Sequence, residues 1–276
     1  MTKWEEDTVI ELKEYVDQAF PFALRGDDAI TFSVLARIVQ GPCQCICTDG
    51  ERAMVCLSKR PYPVWVWCRD EEDEDAVRAI ADCLRRRFPP EEGYRYNLAY
   101  GLPERLRAMG APFAEMKIEV NLLSYRLDEI LPATHPCDGH MDVARMDQLD
   151  ELARHLQAAV FEMERMERSL EDCRQVVAEK IEAGQQFIWL DGQGALAAIT
   201  SWRAIGEYGG VTGVYTLPSH RRRGYAMNLV HGVTQRVLQD GLTPILYTDA
   251  DYGASNSCYQ KIGYRQVGSL CTASMR

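Results

Sequence analysis

Residues 214–226 read Val-Tyr-Thr-Leu-Pro-Ser-His-Arg-Arg-Arg-Gly-Tyr-Ala, and this stretch decides how the second half of the chain folds. A β-rich run over residues 211–216 stops before Pro218, and the arginines follow. After Gly224, apolar residues recur at the three- and four-residue spacing of a helix that buries one face. The stretch therefore predicts a strand, a tight turn and a helix in succession.

Arg221, Arg222 and Arg223 stand at the predicted start of this helix, where cations are unfavourable. The first turn of a helix exposes N–H groups and carries about half a positive charge from the helix dipole. A bound polyanion removes the conflict, because the amides and the arginines can hold it together. Gly224 and Ala226 would let the backbone approach such an anion closely. The turn predicts a pyrophosphate site, and the alternative is a solvated basic turn that only begins a surface helix.

A second motif follows at residues 255–264, which read Ser-Asn-Ser-Cys-Tyr-Gln-Lys-Ile-Gly-Tyr. With Arg221-x-x-Gly224-x-Ala226 it resembles the GNAT superfamily of N-acetyltransferases. That family has an acetyl-CoA loop of the pattern Arg/Gln-x-x-Gly-x-Gly/Ala and a later Ser-x-x-x-Tyr-x-x-x-Gly-Phe/Tyr helix. The resemblance covers roughly residues 140–276, and the two motifs in this order are more specific than either alone.

The resemblance implies that acetyl-CoA is a co-substrate held by the strand and the turn. In the family the pantetheine arm pairs with the backbone of the strand that precedes the loop. The family often has Asn where this chain has Tyr252, and Asn256 is near enough in sequence to substitute for it. The cofactor-binding residues implied are Val214, Tyr215, Thr216, Arg221, Arg222, Arg223, Gly224, Tyr225, Ala226 and Asn256.

Two catalytic residues follow from the resemblance. Tyr259 matches the family tyrosine that can protonate the departing thiolate, and a phenol with an ordinary pKa near 10 is protonated at neutral pH. The alternative for Tyr259 is a half-buried core position. The general base is not evident from the sequence: Glu207 ranks first, Asp249 follows, and His220 fits a solvated surface position better. The amine could also lose its proton to solvent, and no metal is expected.

The fold class that the resemblance implies is mixed α/β, a GNAT-like twisted mixed sheet flanked by helices. The best linker lies at residues 131–139, which contain two prolines and a glycine. We therefore expect a GNAT domain over 138–276 and a second, α+β domain over 1–132. The N-terminal domain as a degenerate GNAT-like copy is a hypothesis, since it has no matching turn.

Periodicity and turn signals give a provisional order of elements. Predicted helices are 5–20, 28–39, 75–88, 103–109, 147–163, 167–183, 224–239 and 255–262. Predicted strands are 44–48, 53–57, 64–68, 94–100, 114–126, 141–145, 186–190, 195–203, 208–216, 245–248 and 264–272.

Composition excludes several classes of function. A net charge of −10 argues against nucleic acid as a partner. No run of 18 apolar residues predicts a membrane span, and the acidic N-terminus lacks the apolar region of a secretory signal. We therefore expect a cytoplasmic protein with no membrane partner.

The 10 cysteines are expected to be reduced. Cys43, Cys45 and Cys47 alternate, so they would share one face of a strand. A metal site there is the alternative, but the stretch lacks Cys-x-x-Cys spacing and a nearby histidine.

The leading hypothesis is an acyl-CoA-dependent N-acyltransferase, with acetyl as the expected acyl group. Its acceptor would be a primary amine of a small molecule or an amino-acid-like compound, and the protein would be a monomer or homodimer. The main alternative is a catalytically inactive CoA-binding sensor or regulatory module. A phosphate-binding scaffold without CoA fits the second motif less well.

Overall fold

The computed structural model of the chain describes residues 10–15, 24–133, 136–164 and 167–275. It confirms the predicted fold class, because the chain is a mixed α/β protein with a large mixed sheet flanked by helices. The chain forms two compact units. The first comprises the described residues up to Ser124 together with Asp249–Asp251 and the described residues from Val267. The second comprises Tyr125–Thr248 and Tyr252–Gln266.

The elements are numbered in chain order. The strands are β1 (Lys13–Glu14), β2 (Cys45–Thr48), β3 (Ala53–Leu57), β4 (Val64–Cys68), β5 (Tyr96–Ala99), β6 (Lys117–Leu127), β7 (His140–Val143), β8 (Gln186–Leu190), β9 (Leu196–Ile205), β10 (Tyr208–Thr216), β11 (Thr243–Asp249) and β12 (Tyr264–Ser274). The helices are α1 (Asp27–Thr31), α2 (Ser33–Val39), α3 (Glu74–Arg87), α4 (Leu102–Ala108), α5 (Leu149–Glu164), α6 (Leu170–Glu182), α7 (Tyr225–Gln239) and α8 (Gly253–Ile262).

In the first unit, β1, β2, β3 and β4 form antiparallel pairs, and β4 then pairs in parallel with β5. The end of the chain returns to this unit, since Leu270 to Ala273 of β12 lie antiparallel to β5. Helix α3 packs on β3 and β4 through residues such as Val77, Ile80 and Leu84, all of which are buried. The strands beneath it are also buried, so the core of the unit lies between α3 and the sheet.

Two predicted helices differ in the structure. Within the predicted helix 5–20, Lys13–Glu14 form strand β1 opposite Thr48 and Cys47, and most of the remaining residues of that prediction lie outside the described part of the chain. The prediction was wrong over β1, whose backbone N–H and C=O groups hydrogen-bond to β2 at the edge of the sheet. Helical periodicity in the sequence does not reveal such a pairing. The predicted helix 28–39 is interrupted at Phe32, which separates α1 from α2.

In the second unit, β7, β8, β9 and β10 are antiparallel neighbours, and β10 pairs in parallel with β11. Helices α5 and α6 bury Leu156, Val160 and Val177 against Ile199 and Tyr215 of the sheet. These contacts form the apolar core next to the end of β10.

Helix α7 buries Leu229, Val230, Val233 and Val237, which are the residues whose spacing predicted it. Gly209 of β10 allows the close approach of this helix, because a Cβ there would collide with Val237. Strand β10, before the arginine turn, and helix α7, after it, therefore pack closely against each other.

The same order of elements occurs in both units. The first unit has β2-β3-β4-α3-β5-α4, and the second has β8-β9-β10-α7-β11-α8. In each, two antiparallel pairings are followed by a parallel one across a helix. That the N-terminal half is a degenerate copy stays a prediction.

Candidate functional site

The turn between β10 and α7 has an unusual backbone. Arg222 has a φ of 63° and Gly224 a φ of 86°, and α7 begins at the next residue, Tyr225. A positive φ is uncommon for a residue with a side chain. Left-handed residues in a turn bring successive N–H groups to one side, which is the geometry of anion-binding nests. The turn therefore combines a nest-like backbone with a helix start.

The start of α7 is open. Within the described residues no side chain caps it, and the residue in the capping position, Gly224, has no side chain that could do so. The first intrahelical bond that reaches this end runs from the Asn228 amide to the Gly224 carbonyl, over 3.1 Å. The amides of Tyr225, Ala226 and Met227 have no helical acceptor, because a helix supplies none to its first turn. These donors are available to an anion.

The side chain of Arg221 points back from the turn. Its Nε donates to the Thr216 carbonyl over 3.1 Å, and an NH2 group donates to Glu162 of α5 over 2.7 Å. The guanidinium also lies 5.5 Å from the centre of the Tyr215 ring. The hydrogen bond with Glu162 raises the pKa of Arg221. Arg221 thus joins the end of α5 to the end of β10, whereas Arg222 and Arg223 are exposed.

Strand β10 is irregular where it approaches the turn. Its parallel pairing with β11 runs from Tyr208 to Val211 and then stops, while its pairing with β9 continues to Thr216. A bulge lies between Thr212 and Tyr215, with Gly213 at a φ of 65°. The Thr212 carbonyl in the bulge accepts hydrogen bonds from two β9 hydroxyls, at 3.1 and 3.3 Å. Among the described residues, one edge of β10 consequently has no strand partner from the bulge to the turn.

The register identifies the backbone groups that face the open edge. The Leu217 amide, just after β10, donates to the Ala197 carbonyl of β9 over 3.0 Å. Because successive residues of a strand direct their amide groups to opposite sides, Val214 and Thr216 face away from β9. Tyr215 faces β9, and its ring packs in the core beneath α5. Two of the three predicted strand residues can therefore offer backbone groups to a ligand on this edge.

The second motif has a clear structural basis. The Ser255 hydroxyl lies 3.0 Å from that of Thr248, which ties α8 to the end of β11. Gly263 ends α8 with a φ of 112°, and a Cβ there would collide with the Glu129 carbonyl. The Tyr264 hydroxyl lies 2.8 Å from Thr234 of α7. Asn256 is half-buried in the first half of α8.

Tyr259 lies in the interior, with 6% of its surface exposed. Its ring centre is 6.4 Å from that of Tyr125 and 6.2 Å from that of Tyr264. Burial, followed by the proximity of Cys258 and Tyr264, raises the pKa of Tyr259. The phenol therefore stays protonated at neutral pH and can act as a donor, and its catalytic role stays a prediction.

The candidate bases are not brought to the turn together. Glu207 is exposed in the Gly206–Glu207 turn before β10, at the end of that strand opposite the arginines. The intervening strand spans about 30 Å at roughly 3.3 Å per residue. Asp249 ends β11, where its carboxylate accepts from the Asp251 amide over 2.8 Å. The geometry gives Glu207 no support as a base, and that role stays a prediction.

His220 differs from the expected solvated histidine. Its Nδ1 lies 2.9 Å from the Ser219 hydroxyl, and its Nε2 lies 3.5 Å from the Asp191 carboxylate. The ring also lies 6.1 Å from that of Tyr225. His220 is therefore part of the support of the turn.

Reasoning from the sequence missed the residues beneath the turn. The Tyr225 hydroxyl donates to Asp138 over 2.7 Å, and the carboxylate of Asp191 accepts from the Gln193 and Ala195 amides over 2.9 Å each. Asp138 lies in the stretch that was predicted as a linker. The available signal was the pair of Asp-Gly steps at 138–139 and 191–192, which predict tight turns but not their contact.

Cys45 and Cys47 share one face of β2 as predicted, with sulfur atoms 3.6 Å apart. The hydrogen bond with Cys47 and burial both raise the pKa of Cys45, so its thiol is protonated. Among the described residues, no group of three or more His, Cys, Asp or Glu side chains has an arrangement that could hold a metal ion. No described helix combines the length and the apolar character that crossing a membrane requires.

One protein-family model matches the part of the chain that contains this site. The family model described as FR47-like protein, which is related to the GNAT superfamily, matches residues 192–272, a stretch that contains the turn and the second motif. No curated protein sequence matches the chain significantly.

Solved structures share the fold over most of the chain. An acetyltransferase of the GNAT family from Colwellia psychrerythraea has a TM-score of 0.59 at 14% identity, covering 97% of this chain and 100% of that one. A GCN5-related N-acetyltransferase from Sphaerobacter thermophilus has a TM-score of 0.59 at 16% identity, covering 86% of this chain and 82% of that one. A GCN5-related N-acetyltransferase from Kribbella flavida has a TM-score of 0.57 at 18% identity, covering 80% and 86%. The predicted resemblance to the GNAT superfamily is thus confirmed at the level of the fold.

Proposed function

We propose that this protein of GNAT fold is an acyl-CoA-dependent N-acyltransferase, with acetyl-CoA as co-substrate and a primary amine of a small molecule as acceptor. We also expect it to act in the cytoplasm as a monomer or homodimer, without nucleic acid or a membrane as a partner. The observation that carries the proposal is the open start of α7 beside the open edge of β10. Within the part of the chain that the structure describes, the helix start has no side-chain cap and this edge of β10 has no paired strand, an arrangement that suits one elongated ligand.

The turn fits the pyrophosphate of CoA. An anion at the open start of α7 would accept from the first amides of the helix and gain from its dipole. The positive φ values of Arg222 and Gly224 direct the turn amides to the same place. The exposed guanidinium groups of Arg222 and Arg223 add charge-assisted hydrogen bonds to phosphate oxygens.

The edge of β10 fits the pantetheine arm. This arm carries two amide groups, and Val214 and Thr216 offer backbone groups along the same direction. Because the Thr216 carbonyl accepts from Arg221, the remaining groups on the edge are the Val214 amide and carbonyl and the Thr216 amide. The bulge ends the pairing with β11, so an extended ligand can take the place of a neighbouring strand.

The chemistry requires a neutral amine and a protonated leaving group. The amine nitrogen attacks the thioester carbonyl, the carbon–sulfur bond breaks, and the sulfur takes a proton as the thiol forms. Tyr259, whose raised pKa keeps it protonated, is the proposed donor. The proton that the amine loses goes to solvent, and a role for Glu207 as a base acting through water stays a prediction that its position at the far end of β10 does not support.

Thiol release from acetyl-CoA across a panel of amines, amino acids and peptides tests this function. We expect amine-dependent release for one class of acceptor, at a rate well above hydrolysis, with the acetyl amide as product. Binding of CoA without amine-dependent release from any acceptor would contradict the enzyme and would fit a CoA-binding sensor instead.

A further inference from the structure

Three segments meet directly beneath the arginine turn, and Asp138 connects them. One carboxylate oxygen of Asp138 accepts from the Tyr225 hydroxyl over 2.7 Å. The other accepts from the Gly192 amide over 2.9 Å. The carbonyl of the same residue accepts from the Trp189 indole over 3.0 Å. Asp138 thereby links the start of α7 to β8 and to the turn that follows β8.

Two glycines, Gly139 and Gly192, lie in close contact around Asp138. A Cβ at Gly192 would lie 2.8 Å from the Asp138 carboxylate, so a side chain there would shift that carboxylate. Gly139 has a φ of 85°, and a Cβ there would collide with the Leu190 carbonyl. Gly139 is thus required for the backbone beside the exposed Asp138 to pack against Leu190, and Gly192 leaves the Asp138 carboxylate room to accept from its amide.

Tyr225 connects Asp138 to the first turn of α7, whose amides are proposed to bind the pyrophosphate. It is the first residue of α7, and 1% of its surface is exposed. Its ring lies 6.4 Å from that of Trp189 and 6.1 Å from that of His220. With the ring enclosed and the hydroxyl held, the backbone of the first turn has little freedom to move.

We infer that Asp138 is a positioning residue that acts through Tyr225 and holds the first amides of α7 in place for the pyrophosphate of CoA. The inference rests on the proposed function. The hydrogen bond from Tyr225 lowers the pKa of the Asp138 carboxyl, which is therefore ionised at neutral pH. A hydroxyl that donates to a carboxylate makes one of the stronger hydrogen bonds in proteins. Losing it frees the turn and weakens its preorganisation.

Calorimetric titration with CoA and with pantetheine alone tests the inference in the full chain. Asp138→Asn places an amide against two donors, and Tyr225→Phe removes only one hydroxyl. We expect each to weaken CoA binding by about tenfold or more. Binding of pantetheine, which has no pyrophosphate, should stay the same. The matched control is Asp128→Asn, a carboxylate paired with Arg126 and Arg265 at 2.8 and 2.7 Å in the same unit.

A double-mutant cycle separates positioning from general stability. If Asp138 acts through Tyr225, the double variant binds CoA about as weakly as either single variant. Additive losses, equal losses for CoA and pantetheine, or unchanged CoA affinity in both single variants would each overturn the inference and leave the proposed function standing. Failure of the wild-type protein to bind CoA would overturn both.

Discussion

At the scale of residues, the adjacent arginines of the turn do not share one role. The sequence indicates three similar cations around a phosphate. In the structure Arg221 is engaged by Glu162 and by the Thr216 carbonyl, whereas Arg222 takes up the positive φ that shapes the turn. The sequence singled out Arg221 by its motif but could not foresee its contact with Glu162, which is 59 residues away along the chain.

Tyr259→Phe tests the proposed proton donor. The substitution keeps the ring between Tyr125 and Tyr264 and removes one hydroxyl. If this hydroxyl protonates the leaving thiolate, kcat should fall by about 100-fold with little change in the affinity for acetyl-CoA. Steady-state kinetics and calorimetry measure the two quantities.

Tyr264→Phe is the matched control, because it removes a buried hydroxyl that contacts Thr234 and has no proposed role in the reaction. We expect it to lower the free energy of unfolding by roughly 1–3 kcal/mol, since Thr234 loses its partner, and to leave kcat nearly unchanged. A Tyr259→Phe variant that behaves like this control would assign Tyr259 to the core.

At the scale of elements, α3 and α7 follow equivalent strands in the two units, but their first turns differ in charge and capping. Helix α3 is capped by Asp73, the residue before it, whose carboxylate accepts from the Asp75 and Ala76 amides at 3.1 Å each. Further carboxylates at residues 70–75 surround it. Helix α7 begins with a glycine and basic residues, and among the described residues no side chain caps it. The first unit thus satisfies its helix start internally, and the second leaves it open.

This contrast predicts one CoA per chain. An anion at the start of α3 would have to displace the Asp73 carboxylate and enter a field of like charge, and both are unfavourable. Calorimetry of the full chain should give a stoichiometry of one. A value of two would contradict the account, because it would require a second site in the first unit.

At the scale of the whole molecule, the sequence predicted what depends on local patterns. The strand, turn and helix around Gly224 follow from composition and periodicity over fewer than 30 residues. The assignment of the chain end to the first unit does not, since pairing of Leu270 with Ala99 joins residues far apart in sequence. The contact of Asp138 with Tyr225 was missed for the same reason. Long-range partners are set by packing and register, which a single sequence does not record.

The central claim is that the turn from Arg221 to Ala226 holds the pyrophosphate of CoA, and Gly224→Glu tests it most directly. A carboxylate at this position would meet the phosphates at the start of α7, and its side chain would oppose the φ of 86°. Gly241→Glu is the matched control, because Gly241 has a φ of 76°, follows the other end of α7 and has open space around it.

Calorimetry with CoA, together with circular dichroism and thermal unfolding of both variants, is the measurement. We expect Gly224→Glu to abolish detectable binding in a folded protein and Gly241→Glu to bind CoA as the wild type does. Unchanged CoA affinity in a folded Gly224→Glu protein would contradict it.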